Sequence, residues 1–241
     1  MARAAGQIFG PTSKGPRVKV CGLVRREDAE YAARAGASYV GSIFAGGPRA
    51  VDPAVARANG EAAAAAASGA GRFAPQRVAV VGAQNPANVT RIAREAGADI
   101  VQLHADPEPD GVLAMRLAWR GPVWAALRVA GPALPPHAAE LFAVADAVVL
   151  DARVPGGALG GTGVALAWAE LAGAVTEARA GTEAALVLAG GLTPENVVEA
   201  ALALSPDVVD VSSGVEHAPG VKRHAAVLHF VSRAHAAYRD M

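Results

Sequence analysis

A few side chains in this 241-residue chain stand where they could do chemistry. The only cysteine, Cys21, closes the short apolar run 18–20, and Asp151 closes another, 147–150, in the string AVVLD. A free thiol has a pKa of roughly 8.5, so Cys21 would need a positive or hydrogen-bonding neighbour to act as a base. A carboxyl such as Asp151 could supply the matching acid, and the pair suits proton transfer on two faces of one substrate. Each has a plainer reading. A lone cysteine is commonly a small buried hydrophobe, and an aspartate at a strand end commonly caps a loop. Three glycine-rich segments follow later apolar runs: Gly160-Gly161-Thr162-Gly163, Gly190-Gly191 and Ser212-Ser213-Gly214. Backbone N–H groups in such turns approach an anion closely. Any one cluster could simply be a tight turn, but three in succession point to a small phosphorylated substrate. His104 follows the run 100–103 and fits either ligand contact or a structural hydrogen bond. No second histidine or carboxylate stands at metal-ligand spacing, so neither a metal nor another cofactor is expected.

These residues need elements to position them. Eight apolar runs occur, at 18–20, 39–43, 78–81, 100–103, 123–127, 147–150, 185–189 and 208–211. Continuous apolarity suits parallel strands covered on both faces. Helical patterns lie between and after them, at 27–35, 53–67, 86–96, 111–119, 137–143, 167–179, 194–204 and 225–238. Asp52-Pro53, Asn85-Pro86 and Thr193-Pro194 each place a capping side chain before a proline at the first helical position. Gly36 and Gly97 suit left-handed helix ends, each inside an AGA segment that leads into a strand. Eight strand–helix units in one series predict an α/β fold, a single (β/α)8 TIM barrel of parallel strands. A doubly wound sheet is the alternative, but the first strand runs into Cys21-Gly22, with no G-x-G-x-x-G fingerprint. In a barrel the chemistry lies at the C-terminal strand ends. That rule selects Cys21, residues 44–49, His104, Arg128, Asp151 and the glycine turns. Residues 1–16 read as a flexible N-terminal arm and 17–241 as the catalytic barrel domain.

Lys plus Arg and Asp plus Glu both number 22, so no global basic field exists to attract nucleic acid. One cysteine allows no intramolecular disulfide, and the start of the chain lacks the apolar core of a signal peptide. No run of about 18 apolar residues occurs, so no membrane span is expected. A cytoplasmic protein is the expectation.

The motifs together resemble the phosphoribosylanthranilate isomerase family over residues 17–233. The matching strings are KVCGL at 19–23, VGSIFAGGPRAV at 40–51, VQLH at 101–104, VVLDARVPGGALGGTG at 148–163, LAGGLTPENV at 188–197 and VDVSSGVEHAPGVK at 209–222. The resemblance implies an Amadori rearrangement of N-(5-phosphoribosyl)anthranilate in tryptophan biosynthesis. It implies Asp151 as general acid, Cys21 as general base and Arg49 as partner of the anthranilate carboxylate, in a protein that is a monomer or homodimer. His104, Gly161, Gly163, Gly190, Gly191, Ser212, Ser213 and Gly214 would complete the substrate site. The chain departs from the family pattern at Ser42, Gly47, Ala167 and Arg223. These changes bear on the carboxylate pocket and the last loop. Two neighbouring phosphate-binding barrels fit less well. Indole-3-glycerol-phosphate synthase uses a lysine near the first strand's end, whereas Lys19 precedes Cys21. The bifunctional histidine/tryptophan isomerases use two aspartates. A ligand-binding barrel without activity would be expected to have lost the acid or the base.

Overall fold

Each apolar run forms a strand, and the eight strands close on themselves in sequence order, all parallel. The computed structural model describes residues 15–152 and 166–238. The strands are β1 (Arg17–Cys21), β2 (Tyr39–Ile43), β3 (Gln76–Val81), β4 (Ile100–Leu103), β5 (Val123–Val129), β6 (Ala147–Ala152), β7 (Ala185–Leu188) and β8 (Val208–Val211). The helices are α1 (Arg26–Ala35), α2 (Pro53–Gly69), α3 (Pro86–Glu95), α4 (Pro109–Ala118), α5 (Ala138–Val144), α6 (Trp168–Arg179), α7 (Val197–Leu204) and α8 (His224–Ala236). The expected (β/α)8 barrel is therefore the fold. The Ala-rich stretch after Pro53 is one continuous helix, two residues longer than the 53–67 pattern.

Side chains alternate across each strand. Val18, Val20, Val148 and Leu150 point outward into the layer between barrel and helices. Cys21, Tyr39, Val78, Ile100, Trp124, Val149 and Val187 point inward and fill the barrel. Tyr39 and Trp124 meet edge to face inside it, with ring centroids 5.2 Å apart. Such a pair contributes about 1 kcal/mol beyond the area it buries. The same inward parity also carries polar residues, Lys19 below Cys21 on β1 and Gln102, Asp151 and Asp210 on the lining of the C-terminal mouth. All four are buried.

Helix termini follow the sequence in part. Asn85 Oδ1 accepts the Asn88 N–H at 2.9 Å, as expected of a cap. Gly36 and Gly97 both take positive φ, 106° and 64°. The turns match: Ala37 donates to the Ala32 carbonyl at 3.0 Å and Ala98 to the Ala93 carbonyl at 2.8 Å. Two expected caps are absent. Asp52 precedes α2 but makes no side-chain capping bond. Thr193-Pro194 does not open α7, which begins at Val197. Those residues instead close a turn: Asn196 Oδ1 accepts the Thr193 N–H at 2.8 Å, and Asn196 Nδ2 donates to the Gly191 carbonyl at 3.0 Å. The capping chemistry is used to shape the loop after β7 rather than to start a helix. After β8 come a single 3₁₀ turn (Ser213–Val215) and a two-stranded antiparallel hairpin, β9 (Glu216–Ala218) and β10 (Val221–Lys222). No sequence pattern announces this hairpin.

Candidate active site

At the C-terminal mouth of the barrel lies a cavity of about 330 Å³. Cys21, Arg49, His104, Asp151, Gly190, Gly191, Ser212, Ser213 and Gly214 all line it. Gly161 and Gly163 lie outside the described residues. Arg128, at the end of β5, is not in the lining. Its guanidinium is held instead by the carboxylate of Asp106.

Cys21 is the last residue of β1, buried, with its thiol on the inner side of the barrel. Burial pushes its pKa up. The ammonium of Lys19, two residues earlier on the same inner face, opposes that rise. Lys19 is fully buried and donates to Asp210 Oδ2 at 2.6 Å. Burial alone would lower the Lys19 pKa, but Asp210 and Cys21 outweigh it and hold it above the ordinary value.

Asp151 occupies the inward position near the end of β6. Burial, then the charge of Asp210, pushes its pKa up to about 6. The Ala152 N–H, at 2.9 Å from Oδ1, pulls the other way. His104 follows β4, its Nε2 3.4 Å from Asp151 Oδ2. That spacing suits an ion pair, yet burial, with Lys19 and Arg128, drives the His104 pKa down to about 4. A neutral imidazole thus faces the carboxyl, and the contact is a polar one between groups that both resist charging. Gln102 Nε2 meets His104 Nδ1 at 3.3 Å and fixes the ring from behind.

The glycine turns stand where phosphate sites recur in this fold, after β7 and β8, with a short extra helical turn. They interlock. A Cβ on Gly214 would lie 1.9 Å from the Leu192 carbonyl oxygen. Gly190, at φ 77°, touches the acid directly: a Cβ there would lie 2.6 Å from the Ala152 nitrogen and 3.0 Å from Asp151 Oδ1. Ser212 Oγ is buried in this wall without a hydrogen-bond partner among the described residues. An unsatisfied buried hydroxyl costs about 1–3 kcal/mol, which an anion accepting from it would recover. Two glycine turns, a buried carboxyl and a buried thiol therefore share one cavity.

Comparison with known proteins decides the family. Residues 18–233 match the family described as N-(5'phosphoribosyl)anthranilate (PRA) isomerase. The chain belongs to this family. N-(5'-phosphoribosyl)anthranilate isomerase of Ruegeria sp. is 39% identical over 228 residues, 91% of this chain and 98% of that one. The Cereibacter sphaeroides isomerase is 35% identical over 223 residues, 91% and 99%. Among solved isomerases, that of Thermus thermophilus superposes with a TM-score of 0.73 at 36% identity, covering 90% of this chain and 97% of that one. A phosphoribosyl anthranilate isomerase bound to reduced 1-(o-carboxyphenylamino)-1-deoxyribulose 5-phosphate superposes with a TM-score of 0.72 at 27% identity, covering 94% and 100%.

Of the four departures from the isomerase pattern, only Gly47 lines the cavity. Ser42 points outward on β2, toward α2, beside Ala56 and Asn59. Ala167 precedes α6 and Arg223 precedes α8, neither with a side-chain capping bond. The residues that sequence reasoning missed are Lys19, Gln102, Asp210, Glu216 and Lys222. For the first three a signal existed: a polar residue at inward parity in an apolar strand. Glu216 and Lys222 sit on the unforeseen hairpin and carried none.

Proposed function

We propose that this chain converts N-(5-phosphoribosyl)anthranilate to 1-(2-carboxyphenylamino)-1-deoxyribulose 5-phosphate in tryptophan biosynthesis. One observation carries the reading: a buried carboxyl poised near neutral pH and a buried thiol face the same cavity, whose wall is built from anion-binding turns. Asp151 protonates the furanose ring oxygen, the C1′–O bond breaks, and the nitrogen lone pair completes a Schiff base. Cys21 then removes the C2′ proton, and the electron pair moves to give an enolamine. Tautomerisation yields the ketone. Oxidation at C2′ balances reduction at C1′ within one molecule, so proton transfer alone drives the reaction. A general acid with pKa about 6 is close to the optimum for work near neutrality.

The turns after β7 and β8 hold the phosphate by backbone donors and Ser212. Arg49 receives the anthranilate carboxylate. Its Nε edge is already taken by Glu216, so the ligand meets the end-on edge formed by Nη1 and the second Nη2 hydrogen. His104, held neutral, lies against Asp151 and orients it.

The test is direct. The purified chain is mixed with phosphoribosylanthranilate, and loss of its fluorescence is followed. Cys21→Ala and Asp151→Ala are each expected to lower turnover by about 10²–10⁴-fold with folding retained. Near-parental turnover in both variants would overturn the assignment of acid and base, and no turnover by the parent would overturn the reaction.

A further inference from the structure

Arg49 comes from the loop after β2, yet its guanidinium is not free to turn. Glu216, at the start of β9, accepts from Nε at 2.9 and 3.0 Å and from Nη2 at 2.7 Å. The same carboxylate accepts from Lys222 Nζ at 2.8 Å, and Lys222 also donates to the Ser212 carbonyl at 3.0 Å. Side chains of Glu216 and Lys222 are 5% and 0% exposed, that of Arg49 14%. The hairpin explains the pairing, because Glu216 and Lys222 are register partners across β9 and β10.

Resting on the assignment of Arg49 to a ligand carboxylate, we propose that Glu216 is the positioning residue of that subsite. It occupies the side-on edge of Arg49, holds the guanidinium in one rotamer and leaves the end-on edge for the substrate. Arg49 alone would have four rotatable side-chain bonds to immobilise on binding, and Glu216 removes that cost before the ligand arrives. The charges fit. Arg49 and Lys222 both donate to the single carboxylate of Glu216, and a bound carboxylate would meet the guanidinium edge that Glu216 leaves open. Lys222 serves as the anchor for Glu216, which links the arginine to the Ser212 turn. Glu216 stays ionised here. Burial pushes its carboxyl up, but the bonds from Arg49 and Lys222 outweigh it and hold the pKa below the ordinary value.

The experiment is a double-mutant cycle on KM and kcat. Glu216→Gln keeps the shape but replaces one acceptor by a donor. It is expected to raise KM about tenfold with kcat within about twofold, the split that distinguishes ground-state positioning from general damage. In an Arg49→Ala background the same change is expected to move KM less than twofold. An unchanged KM in Glu216→Gln, a KM that falls, or a full rise that persists without Arg49 would each overturn the proposal. Should Glu216→Gln fail to fold, Glu216→Asp keeps the charge and draws the guanidinium back by one methylene. An unchanged KM there would equally overturn it. If the parent shows no turnover, the proposed function fails separately. Calorimetric binding of reduced 1-(o-carboxyphenylamino)-1-deoxyribulose 5-phosphate to the same four proteins then replaces KM.

Discussion

Replacing Asp151 by asparagine should make the folded protein more stable at neutral pH while destroying its proposed activity. The carboxyl is 5% exposed, and its pKa rises from an ordinary 3.8 to about 6 in the folded state. At 1.36 kcal/mol per pH unit, that difference amounts to about 3 kcal/mol. The sign follows from the direction. A raised pKa means that the folded state holds the proton more tightly. Its contribution is complete below pH 3.8 and is lost as pH rises through about 6. Above that the parent keeps an ionised carboxylate in a buried site. Asparagine has the same shape, still accepts the Ala152 N–H through Oδ1, and carries no charge. The expected advantage of Asp151→Asn is near zero at pH 4 and about 3 kcal/mol at pH 8, worth about 6–12 °C in Tm for a domain of this size. His104 titrates with the opposite sense. Its pKa is lowered to about 4, so its contribution is present above the ordinary 6.5 and fades as pH falls. With a folded pKa of about 4 it is neutral over most of the pH 4–8 range, so the difference above about pH 5 reports on Asp151. Urea denaturation of both at half-unit steps from pH 4 to 8 measures the effect. A stability difference that is flat across this range, or a parent that is more stable at pH 8, would refute the reasoning.

Other outcomes follow from the same geometry. The pH profile of kcat/KM should show a limb near pH 6 from Asp151 and a second in the alkaline range from the raised Cys21 thiol; a profile flat from pH 5 to 9 would contradict both. Gly214→Ala should destabilise by about 1–3 kcal/mol and raise KM, because its methyl would meet the Leu192 carbonyl at 1.9 Å; thermal melts and kinetics check both. Ala167→Asp should add a capping acceptor at the start of α6 and stabilise by about 1 kcal/mol, read as a higher urea midpoint at unchanged m-value.

The architecture was legible because the apolar runs are continuous and each is separated from the next by a helix-length pattern. Cys21, Asp151, His104 and the turns after β7 and β8 were legible for the same reason: the fold class says that strand ends carry chemistry. What escaped detection did so for physical reasons. Lys19 and Asp210 are 191 residues apart in sequence and become partners only when β1 closes against β8. Glu216 and Lys222 depend on a hairpin too short to leave a pattern. Arg49 looked like a free fork for a ligand, and only the structure reveals that half of that fork is already engaged. Thr193-Pro194 misled because a capping dipeptide can also close a turn.

The alternation along the strands has a consequence for how such a protein can change over evolutionary time. Cys21 and Asp151 face the cavity because each lies an even number of residues from an inward neighbour, Lys19 and Val149. Deleting one residue within β1 or β6 would turn the thiol or the carboxyl toward the helices. Lengthening the loop after Ile43 would cost only a little chain entropy. The gene should therefore accumulate insertions and deletions after the strands while remaining closed to them inside β1 and β6. New substrate preferences would then be reached through the loops, around a thiol and a carboxyl whose spacing the barrel does not allow to drift.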